Sequence, residues 1–253
     1  GELREGEWRE ACDRAGLPFP AGLVERLLRH DLLESTDAGW RFAHNMLRET
    51  LERRAREAGR WQELNRHCAA ALRDDADDLR AADGLADHLL EAGDREAALD
   101  PLLDAVEFWG RRAEFDVASK RLETARRTAR DLDLPEDDPR TLSLHLKSGR
   151  LAMVRQGDFD RAQKLYSSVV DQSEKLDLKE IEFEARLSMV ALYVKQSKPT
   201  RALELGEKTL QKFQSDDRTE CQLGRLRYQV GNAAMIRGDL QKADQLLSEA
   251  AKQ

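Results

Sequence analysis

The sequence predicts an all-α protein: a stack of helical hairpins behind one small module that holds the only strands. Three observations carry this. The chain has 38 Leu and 32 Ala against 9 Val and 2 Ile, and strands need the β-branched residues that are scarce here. Charged residues make up 36% and hydrophobic residues 40%. That is too much charge for one thick-cored globule and too much apolar side chain for a disordered chain, which leaves an assembly thin in cross-section and long in one direction. Finally, a Gly-Asp step followed by an alanine recurs along the chain.

The step occurs at Gly93-Asp94 with Ala98, at Gly157-Asp158 with Ala162 and at Gly238-Asp239 with Ala243, and a degenerate copy runs from Ser197 to Ala202 with Pro199 in the turn. A stretch of helical apolar period flanks each copy on both sides. Each is read as a hairpin of two helices, A and B. Glycine accepts the positive φ that ends helix A, and aspartate caps helix B by accepting from its free N–H groups. The alanine is small enough for the two helices to approach closely. In the last copy helix A shows the stripe Leu226, Val230, Ala233, Ala234, and helix B shows Leu240, Ala243, Leu246, Leu247, Ala250.

These residues resemble tetratricopeptide (TPR) repeats. Val230-Gly231, Gly238-Asp239, Ala243, Leu247 and Ala250 match the family's small and apolar positions, as do Leu85-Ala86, Leu89, Ala98, Leu102 and Ala105. Two copies depart from the pattern. Gly149 stands one residue out of register for the helix A glycine, and Gly206 occupies a place where the family carries a bulky residue. The turns at 93, 157, 197 and 238 are 64, 40 and 41 residues apart, against a family period of about 34. Helices one to two turns longer than standard are therefore expected. The long first interval hides a further turn at Ala113-Glu114-Phe115, so one helix from about 95 to 110 would serve two hairpins, with Pro101 bending it or delaying its start.

Pro135 to Pro139, enclosing Glu136-Asp137-Asp138, reads as a linker. Composition changes beside it: no lysine precedes Lys120, and 11 of 12 glutamines follow residue 140. The expected divisions are residues 1–57, a first set of linking helices and hairpins at 58–134, and repeats of about 40 residues at 135–253.

Residues 1–57 have a different pattern. Leu3 to Ala15 and Ala21 to His30 read as short helices, the run Leu32 to Phe42, through Asp37-Ala38-Gly39-Trp40, as strand, polar turn and strand, and His44 to about Ala58 as a helix again. That is the order of a winged-helix module. Trp40 to Leu51 resembles the end of the winged helix in signal-transducing NTPases of the STAND class, with their "F-x-H-x-L-x-R-E" stretch. Leu64-Asn65-Arg66-His67 stands where that class has its "L-x-x-H" helix before an α-solenoid. The resemblance implies a bacterial, cytoplasmic signalling protein. It implies an upstream nucleotide-binding domain in the same chain, and a role for His44 near the β-phosphate of bound ADP, where either ring nitrogen can donate to an oxygen. The acid that follows this histidine in the class is Asn45 here. Against that nucleotide role stands an equal reading in which His44 caps the helix after the wing or fills a gap beside Phe42.

No catalytic centre is visible. The sequence has no phosphate-binding glycine loop, no Gly-x-Ser-x-Gly, no His-Glu-x-x-His and no Cys-x-x-Cys. His30, His44, His67, His88 and His145 stand too far apart for a short metal motif, and Cys12, Cys68 and Cys221 keep no metal spacing. The expectation is a non-enzymatic chain without cofactor or metal. No apolar run is long enough to cross a bilayer, so no membrane span is expected. Net charge is −7, and the stretch 1–57 holds 12 Asp or Glu against 10 Arg. Both argue against nucleic acid, which needs phosphate neutralisation before base reading.

The remaining candidate is the concave face of the solenoid, which helix A positions line in TPR-like folds. By register these are Lys147, Leu151 and Arg155; Leu187, Ala191 and Lys195; and Arg225, Tyr228 and Asn232. The strip is mildly basic and partly apolar, suited to a protein or peptide with an acidic segment. The expected function is a non-catalytic interaction or sensor arm of a larger signal-transducing NTPase. The alternatives are a stand-alone TPR adaptor or, third, a fragment of a DNA-binding regulator. The chain stops at Gln253 straight after a helix B, so further repeats or self-association through an exposed last repeat are expected.

Overall fold

The computed structural model describes residues 4–37, 39–73, 79–214 and 220–252. Leu3, Ala38 and Gln253, which the sequence reading used, lie outside them. The fold is all-α, a TPR-like solenoid of helical hairpins with one two-stranded sheet. By compactness the chain divides into two units, residues 1–128 and 129–253.

The first unit opens with α1 (Glu5–Arg14), α2 (Leu23–Arg29), β1 (Leu33–Thr36), β2 (Gly39–Phe42) and α3 (Asn45–Glu57). The strands pair antiparallel, with Leu33 opposite Phe42 and Thr36 opposite Gly39. Alternation along them turns Leu33 and Trp40 inward. They pack with Val24, and around these lie Trp8, Phe19, Leu27, Leu28 and Phe42. The Trp8 ring meets Phe19 edge-on at 5.2 Å and Trp40 at 5.0 Å. A cluster of aromatics is how so short a segment builds a core, since each ring buries a large apolar area.

α4 (Trp61–Arg73), α5 (Leu79–Glu91), α6 (Arg95–Arg111) and α7 (Phe115–Asp131) follow. α4 packs on α1 and on α5, and α5 packs on α6. α6 begins at Arg95 and runs through Pro101, so the proline neither delays nor ends it. Arg121 of α7 reaches back to α5, with its guanidinium 2.6 Å from Asp83 and 2.5 Å from Asp87. The hydrogen bonds to Asp87 and Asp83, less the desolvation of the half-buried group, hold that guanidinium above its ordinary pKa.

The second unit comprises α8 (Pro139–Leu151), a π-helical turn (Ala152–Gln156), α9 (Phe159–Lys175), α10 (Lys179–Lys195), α11 (Pro199–Phe213), α12 (Glu220–Arg237) and α13 (Leu240–Ala250). Each helix packs on the next, and α10 also touches α8 and α12. The core runs along these seams. Phe183, Phe213, Leu203, Leu226 and Val230 are sealed in one cluster, with Phe183 and Phe213 edge-to-face at 5.3 Å.

One local device is used at nearly every turn. A residue with positive φ ends the helix at Gly93, Ala113 and Asp133, evenly spaced, and again at Gly157, Asp177 and Ser197 with the same step. The N–H that follows it bonds back to the carbonyl four residues before it: Asp94 to Leu89, Glu114 to Trp109, Leu134 to Ala129, Leu178 to Ser173, Lys198 to Tyr193 and Asp239 to Ala234. This is the Schellman closure. Helices of 17 residues, each with a three-residue turn, lengthen the hairpin beyond the family's period of about 34. Asp94, Asp158 and Asp239 then cap the next helix, accepting from the N–H three residues on at 3.1, 3.0 and 3.3 Å.

Ala113 sits at φ 61° in this device. A β-carbon costs about 1–2 kcal/mol in that region, only partly offset by the smaller unfolded-state entropy of alanine over glycine. Ala113→Gly is therefore expected to stabilise the chain by about 0.5–1 kcal/mol in chemical denaturation. A loss of stability would show that the methyl group contributes packing that outweighs the strain.

The Gly157 turn deviates informatively. There the closing bond runs from Asp158 to Ala152, five residues before the turn glycine, because the helix passes through the π turn. A π turn holds one extra residue. That residue is the register offset of Gly149 seen in the sequence. With it absorbed, a β-carbon on Gly149 would lie 2.5 Å from the ring of Tyr166, nine positions past the turn glycine. Gly231 stands in the same relation to Leu247, nine past Gly238, at 2.8 Å. Both glycines are therefore places where helix A meets helix B backbone to side chain. Gly206 serves another seam, since its β-carbon would lie 2.3 Å from Val230 on α12.

Candidate partner-binding face

Helices α8, α10 and α12 are the helices A of the second unit, and the contacts of α10 with both neighbours make them one layer. Polar bonds stitch the layer where the helices begin. Gln222 donates to Glu180 at 2.5 Å, and Arg225 donates twice to Glu184, at 2.9 and 3.3 Å. Beyond these pairs, toward the turns, the layer opens. On α12 the residues Tyr228, Met235 and Ile236 are exposed there, with half-buried Asn232 between them, while Cys221 and the paired Arg225 are exposed nearer the start of the helix. Tyr228 is 52% exposed.

The predicted face residues fall on two stretches. Lys195, Arg225, Tyr228 and Asn232 lie on the adjoining helices α10 and α12, while half-buried Lys147 lies on α8 and exposed Arg155 in the π turn. Arg225 spends its charge on Glu184, so the strip is less basic there than the residue types imply. Leu151 and Leu187, expected to line the face, are 8% and 5% exposed and belong to the core. Leu187 packs in the cluster with Val190, Leu203 and Leu226, so its side of α10 meets the neighbouring helices rather than the open layer.

His44 occupies the N-cap position of α3, with extended backbone at φ −126° and ψ 121°, and its carbonyl accepts from Leu47 at 3.0 Å. Its imidazole makes no capping bond and is exposed. Neither plain alternative for this side chain, a cap or filler beside Phe42, describes it.

Sequence reasoning missed two buried polar networks. In the first unit Asn65 is 5% exposed. Its amide donates to the Trp61 carbonyl at 2.8 Å, which leaves the oxygen to accept from His88 Nδ1 at 2.8 Å. Burial depresses the His88 pKa, against the pull of Asp87 and Glu91. Beside it Trp61 donates to Glu91 at 2.6 Å, and the Arg56 guanidinium lies 4.0 Å over the indole. The Asn65 that stands within the "L-x-x-H" stretch thus has a role in packing α4 on α5.

The second network joins α9, α10 and α11. Glu182 is 3% exposed and accepts from Arg186 at 2.6 Å and Lys212 at 2.5 Å. Glu174 accepts from Lys212 at 2.9 Å and also from Arg186. The bond from Lys212, helped by Arg186, holds the Glu174 carboxyl below its ordinary pKa. Burial pulls Lys212 down, but its bonds to Glu182 and Glu174 outweigh that and hold the ammonium above its usual value. Among the described residues no group of three or more His, Cys, Asp or Glu could hold a metal, and no helix is long and apolar enough to cross a membrane.

No protein-family model and no curated protein matches the sequence. Solved structures do. BtubC (BKLC) from P. vanneervenii is 17% identical, with a TM-score of 0.57 over 97% of this chain and 90% of that one. Nearly identical TPR-like repeats attributed to a kinesin light chain of Podosopora anserina are 18% identical, with a TM-score of 0.41 over 80% and 91%. A STAND protein (signal transduction ATPase with numerous domains) with a tetratricopeptide repeat sensor, from Pyrococcus horikoshii, is 15% identical. Its TM-score is 0.49 over 100% of this chain and 42% of that one. At 17% identity the likeness to BtubC establishes the fold alone.

Proposed function

We propose that the chain is a non-catalytic protein-binding arm of a larger signal-transducing NTPase, with residues 1–57 forming its winged-helix module in a bacterial cytoplasm. The observation that carries the binding role is the open helix A layer, above all the exposed Tyr228 beside Arg225 and Asn232. Repeats of this kind bury one face against their neighbours and present another. The signalling role rests on the stretch Phe42-Ala43-His44-Asn45-Met46-Leu47-Arg48-Glu49. His44 is free of any capping duty there, so its imidazole can donate to a phosphate of an upstream nucleotide site.

A photo-crosslinking residue at Tyr228 tests the binding role in cells, with the same residue at exposed Lys208 on α11 as comparison. The expected result is a discrete protein adduct from position 228 and none from 208. Equal or absent adducts at both would refute the reading. In the full-length protein His44→Ala is expected to speed ADP release, and an unchanged off-rate would remove the nucleotide role while leaving the binding role intact.

A further inference from the structure

The second unit is neutral in composition, with 21 Lys or Arg and 21 Asp or Glu in residues 129–253. Its charges are nevertheless sorted. The stretches 139–157, 185–203 and 221–238 hold 11 Lys or Arg and not one Asp or Glu. These are the helices A with the turns that end them, apart from the first part of α10. The acids lie in the helices B, in the connectors between hairpins and at the start of α10 and α12.

Helices that pack antiparallel in sequence alternate in direction, so the turns at 157, 197 and 238 fall along one edge of the unit. On that edge Lys195, Lys198 and Arg201 are exposed, and none forms an ion pair among the described residues. Most neighbouring cations do: Arg186, Lys212, Arg225, Arg227, Arg237 and Lys242 all meet carboxylates. Helix chemistry does not account for the three. Lys198 is the N-cap of α11 and Arg201 lies in its first turn, where the helix dipole favours acids. The matching caps in α9 and α13 are Asp158 and Asp239. Beside them, around the next turn, Met235, Ile236 and Leu240 are 51%, 47% and 70% exposed. The pairing of Lys242 with Glu207 holds α13 against α11 at this place.

We propose that this turn edge docks an acidic protein segment carrying apolar side chains, its carboxylates meeting Lys195, Lys198 and Arg201 and its apolar residues covering Met235, Ile236 and Leu240. The proposal rests on the protein-binding reading and places the contact at the edge of the helix A layer. Charge complementarity selects an acidic occupant. Nucleic acid fits less well, because the acidic connectors of this unit repel a polyanion, and Met235, Ile236 and Leu240 are aliphatic rather than a stacking platform.

The test is fluorescence anisotropy of the chain with a labelled peptide of Glu and Leu in helical period. The triple variant Lys195→Glu, Lys198→Glu, Arg201→Glu is expected to weaken binding about tenfold or more. Ile236→Ser with Leu240→Ser is expected to weaken it about threefold or more. The control Lys164→Glu with Lys175→Glu, exposed cations on α9, is expected to leave it unchanged, and circular dichroism confirms that each variant folds. The proposal is overturned by no binding of the peptide, by equal loss in the control, by equal binding of a Lys and Leu peptide, or by equally tight binding of single-stranded DNA. A salt-insensitive dimer formed through Met235 and Ile236 also overturns it. If a partner crosslinks at position 228 and the triple variant binds it normally, the protein-binding reading stands and the edge proposal fails.

Discussion

Arg186→Ala is expected to lower the unfolding free energy by about 2–3 kcal/mol, because it strips one partner from a buried carboxylate. Glu182 is 3% exposed and holds two cations, Arg186 at 2.6 Å and Lys212 at 2.5 Å. Lys212 remains in the variant and keeps the loss below that of a fully orphaned charge. Removing both cations should cost more than the sum of the two single changes, since either one partly satisfies Glu182 in the absence of the other. Arg225→Ala breaks the exposed pair with Glu184 and should cost less than about 1 kcal/mol. Urea titrations of these variants decide the matter: equal costs for Arg186→Ala and Arg225→Ala would mean that burial of Glu182 confers no special weight. The pH dependence has a definite sign. Glu174 is held below its ordinary value of 4.5, so its contribution is complete above that pH and is lost as pH falls through the folded value. Lys212 is held above its ordinary 10.5, so its contribution is complete below that pH and is lost as pH rises beyond it. Between those limits these two groups should leave stability flat.

Gly149→Ala is expected to destabilise the protein by about 1–2 kcal/mol, although alanine is the better helix former by about 1 kcal/mol. The new methyl would lie 2.5, 2.9 and 3.1 Å from three atoms of the Tyr166 ring. That ring is fully buried and cannot swing away without opening the seam. Tyr166→Leu provides the check, since leucine is what faces Gly231 in the last hairpin. In the leucine background Gly149→Ala should cost less, and an additive result would locate the strain elsewhere. Deletion of Val154, which is 40% exposed in the π turn, should be tolerated. It converts the π turn to an α turn and brings Gly149 seven positions before Gly157, the spacing that Gly231 keeps to Gly238. Collapse of this deletion variant would mean that the π turn itself is required.

How far the sequence could be read follows from these residues. The hairpins are legible because each turn uses few residue types: glycine for positive φ and aspartate for the cap. Where other residues take the same conformation, at Asp133 and Asp177, the signal vanishes and the uniform step between turns cannot be seen. The misplaced Gly149 is visible as an offset, but only backbone hydrogen bonds reveal a π turn as its cause. The helix–helix–hairpin–helix order of residues 5–57 is legible from alternating apolar residues around Trp40 and Phe42. On the candidate face, register places Leu151 and Leu187 on the surface, and both are buried. The Glu182 and Asn65 networks join partners far apart in sequence, and their members look like ordinary solvated side chains in a chain that is 36% charged.

The turn used at Gly93, Ala113 and Asp133, and again at Gly157, Asp177 and Ser197, closes both the hairpins and the joints between them. The module of this array is therefore a single helix with its turn, and parity governs what can be grafted. Inserting one such module would reverse the direction of every helix after it and send all later turns to the opposite edge. Inserting two restores the original order. A designer lengthening the array should work in pairs, and one wishing to switch which edge a binding surface faces needs only a single added helix.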